Sequence, residues 1–304
     1  MRGRHLLTVG DLDARELSLI LDTSARFKAA PPPPLLAGKS VALLFEKPSL
    51  RTRVSFDVGV YRLGGHLTYL SPPEVGLGVR EAVKDVARVL SGYVDLIAAR
   101  TMTQSTVEEL ASYASVPVIN ALSDTEHPCQ ALADLLTIQE NCGRLAGVRI
   151  AYIGDGNNVA ASLVQSCALM GMDITLASPE GYDVPETALA RARGYAEKSG
   201  GSITIVREPE EAVTDVQVIY TDVWVSMGQE EETASRREAF APYQVDMALL
   251  RRAPAEVIVM HDLPAHRGEE ITDEVMESSH SRVFQQAENR MYTEQAAMAL
   301  ILGD

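Results

Sequence analysis

Residues 148–177 read VRIAYIGDGNNVAASLVQSCALMGMDITLA, and this stretch decides the fold class. A short apolar run at 148–153 predicts a strand, residues 157–171 have the length and composition of a helix, and 174–177 predicts a second strand. A strand, a helix and a strand in this order form a parallel unit whose sheet is covered by helices.

The same alternation extends from this stretch in both directions. Further strands are predicted at 40–46, 66–70, 94–99, 116–120, 203–206, 216–220 and 257–260. Further helices are predicted at 50–63, 81–91, 105–115, 127–141 and 185–199, and from about residue 285 onward. Two such series predict an α/β protein with two doubly wound parallel-sheet domains and an active-site cleft between them. The first domain is predicted to span 1–142, with helix 285–304 packing back on it, and the second 143–284.

The composition excludes several classes of protein. The chain has 304 residues, of which 46% are hydrophobic and 23% charged, as in globular proteins rather than disordered or coiled-coil chains. Lysine and arginine total 27 against 42 acidic residues, a formal charge of −15. This charge argues against a nucleic-acid or anionic-membrane surface, so an anionic substrate would need a local arginine and histidine cluster.

Several features favour a cytoplasmic protein. The 3 cysteines lack C-x-x-C spacing, which fits a reducing compartment better than a disulfide scaffold. The N-terminal segment has no signal-peptide core and instead predicts an amphipathic helix with a capping box at 8–11. No stretch has the length and apolarity of a membrane span.

A candidate phosphate clamp follows the first predicted strand. Residues 47–53 read KPSLRTR and open a helix with Ser49 at its N-cap. The amides of Leu50, Arg51 and Thr52 then lack partners within the helix, and a helix N-terminus attracts anions. Two arginines and two hydroxyls add charge and donors. The alternative is a capped helix with solvated arginines.

Two further features have the same character but are individually weak. Pro128 fits the first position of a helix, which places His127 at the cap and Gln130 one turn later. Arg100 closes a predicted strand at the end where parallel sheets bind ligands. Each feature alone is more often structural.

Taken together, these motifs resemble one family. SLRTR (49–53), Arg100 before Thr101, HPCQ (127–130), GDGNN (154–158), DVWVSMGQE (222–230), HDLPAHRG (261–268) and AENR (287–290) occur in the order found in ornithine carbamoyltransferases. The resemblance runs from about His5 to the C-terminus. It implies the two-domain fold predicted above, with carbamoyl phosphate bound by the first domain and ornithine by the second.

The resemblance implies roles for residues of the first domain. The carbamoyl phosphate site would consist of Ser49, the Leu50 backbone, Arg51, Thr52, Arg100, His127, Gln130 and Arg290. The family has threonine where Leu50 stands, and leucine loses the hydroxyl but keeps the amide. Arg100 and His127 would also be catalytic, because they would stabilise the oxyanion of the tetrahedral intermediate together with the Thr52 hydroxyl.

The second domain is expected to bind the amino acid. GDGNN superficially matches a dinucleotide fingerprint, but Val159 replaces its third glycine and no acidic residue ends the next strand. A nicotinamide-dependent oxidoreductase is therefore disfavoured. The resemblance implies instead an ornithine site made of Asn158, Asp222, Ser226, Met227 and Leu263. Asp222 would pair with the α-ammonium.

The sequence departs from the family in two places. Asp262 stands where the family has a cysteine close to the attacking amine. It could pair with the δ-ammonium as a catalytic proton acceptor, or turn away and leave the Leu263 carbonyl to position the amine; the intact LPAHRG around it favours the first reading. Gly76 stands where the family has glutamine or histidine, which reaches a neighbouring subunit's site, so that role is not carried over.

No metal and no cofactor is expected. His261, Asp262 and His266 have no known metal-ligand spacing, and Pro264 prevents them from sharing a helical face. Carbamoyl phosphate already carries an activated leaving group.

The expected activity is transfer of the carbamoyl group from carbamoyl phosphate to the δ-amine of L-ornithine, giving L-citrulline and phosphate. The resemblance implies a homotrimer or a multiple of trimers. Arginine biosynthesis is the expected context, although the sequence leaves open citrulline phosphorolysis. One alternative is a carbamoyltransferase for putrescine or an N-acyl-ornithine, for which Asp222 has no clear purpose. Another is a ligand-binding homologue made catalytically weak by Asp262.

Overall fold

The computed structural model describes residues 1–226 and 230–303, and the chain forms two compact units. Unit 1 comprises Met1–Leu136 and Glu288–Asp304, and unit 2 comprises Thr137–Ala287. The sequence-based division after residues 142 and 284 lies a few residues away. Both boundaries fall inside helices, Pro128–Cys142 and Val283–Leu302, so no loop or change of composition marks them.

Unit 1 contains a four-stranded parallel sheet. Its strands are β1 (Ser40–Phe45), β2 (His66–Leu70), β3 (Leu96–Arg100) and β4 (Val118–Leu122). Their spatial order is β2-β1-β3-β4, with every neighbouring pair parallel. All four predicted strands are confirmed, with ends shifted by one or two residues.

Helices cover this sheet. They are α1 (Ala14–Ala29), α2 (Leu50–Arg62), α3 (Pro72–Val75), α4 (Val83–Ser91), α5 (Gln104–Tyr113) and the first part of α6 (Pro128–Cys142). Alternate residues of the strands pack on α4 and α5 in a buried apolar cluster that includes Ala42, Leu44, Ile97, Ala99, Val86, Val107 and Leu110. Successive side chains of a strand point to opposite faces of the sheet, so every second residue packs against the helices on one face.

The N-terminal helix begins later than predicted. The capping box at Thr8 and Asp11 exists, but it closes only a 3-10 turn over Val9–Asp11. The α-helix starts at its own cap, Asp13, whose carboxylate accepts the Glu16 amide at 2.8 Å. Asp13 and Glu16 form a second capping box, and this one sets the start of α1.

Unit 2 contains a five-stranded parallel sheet. Its strands are β5 (Arg149–Ile153), β6 (Asp173–Ala177), β7 (Ser202–Val206), β8 (Val218–Thr221) and β9 (Ile258–His261). Their spatial order is β7-β6-β5-β8-β9, with every neighbouring pair parallel. Both units therefore have the predicted doubly wound α/β architecture.

The helices of unit 2 differ in how well the sequence predicts them. The long α7 (Asn158–Leu169) and α8 (Glu186–Ser199) were predicted, as was α13 (Val283–Leu302), which starts in this unit. The short helices were not: they are α9 (Pro209–Ala212), α10 (Thr233–Phe240), α11 (Met247–Leu250) and α12 (Asp273–Met276). Helices of one or two turns carry too little periodicity to be recognised.

Residues 288–302 of α13 belong to unit 1 and form hydrogen bonds with other parts of it. The Gly3 amide donates to the Ile301 carbonyl at 3.0 Å. The Gln295 side-chain amide donates to the Gly59 carbonyl of α2 at 3.3 Å. The C-terminal helix thus returns to the unit in which the chain starts.

Each sheet has one place where the strand order reverses direction. In unit 1 the chain passes from β1 to β2 on one side and then to β3 on the other side of β1. In unit 2 the same reversal separates β5 from β8. Ligands of doubly wound sheets bind at the carboxyl ends of the strands at such switch points. The loops after β1, β3, β5 and β8 are therefore the expected positions of ligand-binding residues.

No helix among residues 1–226 and 230–303 has the length and apolar character needed to cross a bilayer. Cys129, Cys142 and Cys167 form no disulfide bond with one another.

Candidate active site

The loop after β1 leads into the predicted anion site. Ser49 is the N-cap of α2, as predicted, and its hydroxyl accepts the Thr52 amide at 3.4 Å. The same hydroxyl donates to the Thr52 hydroxyl at 3.2 Å. Leu50 is largely exposed while Thr52 is fully buried. The start of α2 therefore presents a hydroxyl pair together with the positive end of the helix dipole.

Arg290 reaches this helix start from the opposite end of the sequence. Its Nη2 donates to the Thr52 hydroxyl at 2.9 Å and to Glu294 Oε1 at 3.2 Å. The side chain is buried, and its Nε has no hydrogen-bond partner among the described residues. Since Arg290 and Thr52 were predicted to share a site only by resemblance, their contact is an independent structural observation.

Two further predicted residues lie at neighbouring strand and helix ends. Arg100 is the last residue of β3, pairs in register with Phe45 of β1, and is buried. His127 immediately precedes α6 and is also buried. Burial lowers the pKa of His127 far below its usual value, and the Arg290 and Arg100 cations lower it further. The imidazole is therefore neutral, and one of its nitrogens can donate a hydrogen bond.

Gln130 supplies an acceptor among these donors. Its Nε2 donates to Asp134 at 2.8 Å. Its Oε1 is buried and lacks a hydrogen-bond partner within the described part of the chain. A buried amide oxygen without a donor is costly unless a ligand supplies one.

In unit 2 the GDGNN turn connects β5 to α7, as predicted. Asn157 caps the helix by accepting the amides of Val159 and Ala160 at 3.0 and 3.1 Å. Its side-chain amide donates to Asp222 Oδ2 at 2.7 Å. Asn158, the predicted ligand, is the first residue of α7 and is half-buried. Sequence reasoning missed Asn157, although an asparagine before an apolar helix is a recognisable N-cap signal.

The glycines of this turn serve close packing of the backbone. A Cβ at Gly156 would lie 2.1 Å from the Val184 amide nitrogen. The Gly156 amide donates to the Tyr182 carbonyl at 2.8 Å. A side chain at position 156 would therefore collide with the backbone of segment 182–184.

The loop after β8 carries the predicted amino-acid ligands. Asp222 is buried, and its Oδ1 accepts the Val223 amide at 2.7 Å. Ser226 is half-buried, and Met227 lies outside the described residues. Trp224 is buried against Phe240 of α10, with ring centroids 6.0 Å apart. The aromatic contact anchors the start of this loop to the core of unit 2.

Arg236 on α10 holds the two switch-point loops of unit 2 and was not predicted. Its Nη1 lies 3.1 Å from Asp155 Oδ2 and donates to the Trp224 carbonyl at 3.1 Å. Its Nε donates to Glu232 at 2.8 Å, and its guanidinium stacks 4.9 Å from the Tyr182 ring centroid. No local sequence signal identifies this residue, because its partners lie in three other segments.

The strand β9 ends at His261, which is fully buried. The His261 Nε2 lies 3.0 Å from Glu270 Oε1, and the Leu263 amide donates to Nδ1 at 2.9 Å. Burial lowers the pKa of His261, but the Asp262 and Glu270 carboxylates, which accept hydrogen bonds from the ring, raise it above its usual value. The Leu263 amide aimed at Nδ1 opposes a proton on that atom, so Nε2, which faces Glu270, is the nitrogen that carries a proton.

Asp262 lies beside His261 and Asp222 rather than pointing away from them. Its Oδ1 is 3.4 Å from His261 Nδ1, and its side chain is largely buried. Burial raises the pKa of Asp222 well above its usual value, and the neighbouring Asp262 carboxyl raises it further. Two adjacent carboxylates in a buried place favour a bound cation between or against them.

The same three residues form a group that could ligate a metal by distance alone. Asp222, His261 and Asp262 each offer one ligand atom within 4.8 Å of the others. His266, which the sequence analysis had considered and rejected as a ligand, is not in this group, and its amide donates to Glu270 at 2.6 Å. Since Glu270 and the Leu263 amide occupy both ring nitrogens of His261, the donor set does not fit a metal.

Two backbone positions near the predicted site are constrained. Leu263 has φ +62°, a conformation that non-glycine residues rarely adopt. Gly76 ends the short helix α3 with φ +53°, and a Cβ there would lie 2.9 Å from the Arg80 Cβ. The local turn in this chain therefore favours glycine at position 76.

Comparison with known proteins shows the family and the fold of this chain. The carbamoyl-P binding domain model of aspartate/ornithine carbamoyltransferases matches residues 4–140, and the Asp/Orn binding domain model matches 146–301. The ornithine carbamoyltransferase of Bacillus subtilis is 51% identical over 300 residues, covering 99% of this chain and 94% of the relative. The anabolic ornithine carbamoyltransferase of Pyrococcus furiosus is 49% identical over 307 residues, covering 100% and 98%. The chain belongs to the ornithine carbamoyltransferase family.

Solved structures of family members have the same fold. The ornithine carbamoyltransferase structure from Pyrococcus furiosus has a TM-score of 0.97 at 49% identity, covering 99% of this chain and 97% of that one. The structure from Gloeobacter violaceus has a TM-score of 0.90 at 48% identity, covering 100% of both chains. The sequence-based prediction of the family and of its two-domain α/β fold is confirmed.

Proposed function

We propose that this chain transfers the carbamoyl group of carbamoyl phosphate to the δ-amine of L-ornithine, giving L-citrulline and phosphate. Family membership over nearly the whole chain supports the reaction class. One structural observation supports the substrate pair. The switch-point site of unit 1 is cationic and rich in hydroxyls, whereas that of unit 2 is acidic, which suits an anionic donor and a cationic acceptor.

Carbamoyl phosphate is assigned to unit 1. The phosphate would bind the Ser49 hydroxyl, the Arg51 guanidinium and the amides at the start of α2, including that of Leu50. The carbamoyl oxygen would accept from Arg100, from neutral His127 and from the Thr52 hydroxyl. The carbamoyl NH₂ would donate to Gln130 Oε1, and Arg290 would complete the site. The buried oxygen of Gln130 supports this orientation because it lacks a donor otherwise.

Ornithine is assigned to unit 2. Its α-ammonium would pair with Asp222, which the Asn157 amide and the Val223 amide hold in place. Asn158, Ser226 and the Met227 backbone would bind the α-carboxylate end. A cation relieves the repulsion between the carboxyls of Asp222 and Asp262, which is why a diamino acid fits this site better than a dicarboxylic one.

The Asp262 carboxylate is assigned as the proton acceptor of the δ-amine, with the Leu263 carbonyl positioning the nitrogen. An amine of this type has a pKa of about 10.4 and arrives protonated. After Asp262 takes one proton, the neutral nitrogen attacks the carbamoyl carbon and forms a C–N bond. The oxyanion that develops is held by Arg100, His127 and Thr52.

Collapse of the intermediate completes the reaction. The C–O bond to phosphate breaks, the departing oxygens stay bound to Arg51 and Ser49, and the second amine proton passes to the leaving phosphate. No metal or organic cofactor takes part in this sequence of steps.

The test compares three acceptors. Citrulline formation from L-ornithine should exceed carbamoylation of putrescine and N-acetyl-ornithine in kcat/KM. Asp222→Asn should raise the KM for ornithine about 10- to 100-fold, the loss expected for one hydrogen bond to a charged group. The exposed Asp215→Asn in the same unit is the control. Equal use of putrescine by the natural chain would contradict the ornithine assignment.

Asp262 is tested separately. Asp262→Asn removes the proton acceptor but keeps the size, so kcat should fall while the carbamoyl phosphate KM stays unchanged. If Asp262→Cys were active and the natural chain inactive with every acceptor, the chain would be a ligand-binding homologue rather than an enzyme.

We further propose a homotrimer, or a multiple of it, as the assembly. An apolar stripe on α2 supports burial against another copy, because Val54 and Tyr61 lie on one helix face and are 49% and 79% exposed. The anabolic direction is supported by the name of the Pyrococcus furiosus relative. The cytoplasmic location stays a prediction.

A further inference from the structure

A buried acid lies directly behind the proposed phosphate site. Glu294 on α13 is fully buried, one helical turn after Arg290. Its Oε1 accepts from Arg290 Nη2 at 3.2 Å. Its Oε2 is buried and has no hydrogen-bond partner among residues 1–226 and 230–303. A buried carboxylate satisfied on one oxygen only is costly and calls for an explanation.

Within the described part of the chain, the Arg290 guanidinium is the cation that acts on Glu294. Arg290 on its own helix lowers its pKa, and so does the nearby Ser55 hydroxyl on α2. From α6 it faces the thiol of Cys129, whose pKa is raised first by burial and then by Glu294, so that this thiol stays protonated. Burial outweighs Arg290 and Ser55 and raises the pKa of Glu294 to about 7.

Arg290 therefore has two competing anionic partners once phosphate is bound. With Glu294 ionised, the Arg290–Glu294 pair is neutral, and a phosphate dianion gains little from the arginine. With Glu294 protonated, the full charge of Arg290 acts on the phosphate, while its Nη2 still donates to Thr52 at 2.9 Å. The two states differ by one proton, and a dianion favours the protonated one.

We propose that Glu294 is a positioning residue that controls the charge which Arg290 presents to carbamoyl phosphate, and that binding of the phosphate group is accompanied by uptake of a proton on Glu294. The proton comes from solvent, the O–H bond is the one bond formed, and release of phosphate returns the proton. The proposal rests on the assignment of Arg290 to the phosphate site made above.

The kinetic test follows kcat/KM for carbamoyl phosphate between pH 5.5 and 9 in the natural chain and in Glu294→Gln. Glutamine keeps an oxygen for Arg290 but never ionises. Because both proteins use the same substrates, the ratio of the variant to the natural chain cancels the titration of carbamoyl phosphate and of the amine. The ratio should be near 1 at acid pH and rise above pH 7, by up to about tenfold per pH unit.

Glu288→Gln is the matched control, because Glu288 lies on the same helix and is exposed. Its ratio to the natural chain should be flat across the pH range. A flat ratio for Glu294→Gln would overturn the proposal, because a merely structural role would change affinity equally at all pH values.

Calorimetry on the natural chain gives an independent measurement that needs no variant. Inorganic sulfate serves as the probe, because its charge is constant over this pH range. Titrations near pH 7.5 in two buffers of different ionisation enthalpy should show proton uptake on binding, and none in Glu294→Gln. Absence of uptake in the natural chain would overturn the proposal.

The Arg290→Gln variant separates a failure of the phosphate-site assignment from a failure of the Glu294 proposal. If this variant leaves the KM for carbamoyl phosphate unchanged, the assignment of Arg290 fails, and the Glu294 proposal fails with it. If Arg290→Gln weakens binding but Glu294→Gln shows no pH-dependent ratio, the proposed function stands and the proton coupling alone is wrong.

Discussion

Replacing Arg236 by glutamine is expected to destabilise unit 2 by about 3–5 kcal/mol, the cost of removing one partner from a buried ion pair. The side chains of Arg236 and Asp155 are both 7% exposed, and the pair is closed at 3.1 Å. Burial raises the pKa of Asp155 and Arg236 opposes that rise. Without the arginine, Asp155 loses its cation while remaining buried, so its pKa rises further.

Glu232 provides a matched control on the same arginine. It accepts from the Arg236 Nε at 2.8 Å, but its side chain is 57% exposed. Exposed ion pairs contribute about 1 kcal/mol or less, so Glu232→Gln should be nearly neutral. Asp155 and Glu232 pair with the same arginine at similar distances, so the difference between the two variants measures the effect of burial.

The assay uses the one tryptophan of the sequence. Trp224 is buried in unit 2, and its carbonyl accepts from Arg236. Its fluorescence during urea unfolding therefore reports on this unit. A loss below about 1 kcal/mol for Arg236→Gln, or equal losses in both variants, would refute the reasoning. Adding Asp155→Asn to Arg236→Gln should recover part of the loss, because no buried charge is then left unpaired.

Three further predictions concern the backbone, a titration and the assembly. Gly156→Ala should lower the free energy of unfolding by about 3 kcal/mol or more, because its Cβ would overlap the backbone at Val184. Gly194→Ala lies in open space within α8 and should raise the free energy of unfolding by about 1 kcal/mol. Thermal unfolding of both variants checks this. Glu294→Gln should be more stable than the natural chain at pH 8 but not at pH 4.5. Because the pKa of Glu294 is raised, the folded state binds more protons than the unfolded state between pH 4.5 and 7. The free energy of unfolding of the natural chain therefore falls by about 3 kcal/mol across that window. Chemical unfolding at pH 4.5 and pH 8 checks this. Tyr61→Glu should lower the molar mass in light scattering, and an unchanged mass would remove α2 from the interface.

The sequence predicted the fold well because strand and helix alternate with clear periods. Every predicted strand exists, and the ends are shifted by at most a few residues. The start of α1 was misplaced because Thr8 and Asp13 both head a capping box, and only tertiary packing decides which one begins a long helix. The divisions between the two units lie a few residues from the predicted ones, because helices run through them and no loop marks them.

The site was predictable where its residues lie in contiguous motifs. Ser49 and Pro128 predict the starts of two helices, and α2 and α6 begin at these positions. Arg236 and Glu294 could not be predicted from local pattern, because their importance comes from burial beside partners far along the chain. A glutamate in an apolar helical segment gives no sign in the sequence that it will be fully enclosed.

Because α13 returns to unit 1, this compact unit differs from the continuous segment that the family model matches. A fragment cut at the family-model boundary, residues 4–140, would lack the helix that supplies Arg290 and that satisfies the Gly59 carbonyl through Gln295. Such a fragment would lose the buried apolar residues of α13, such as Met298 and Ile301, together with this arginine. Because Gly3 and Ile301 are hydrogen-bonded neighbours, a fusion that places residues 288–303 ahead of residue 4 through a short linker would restore the missing piece in a continuous polypeptide.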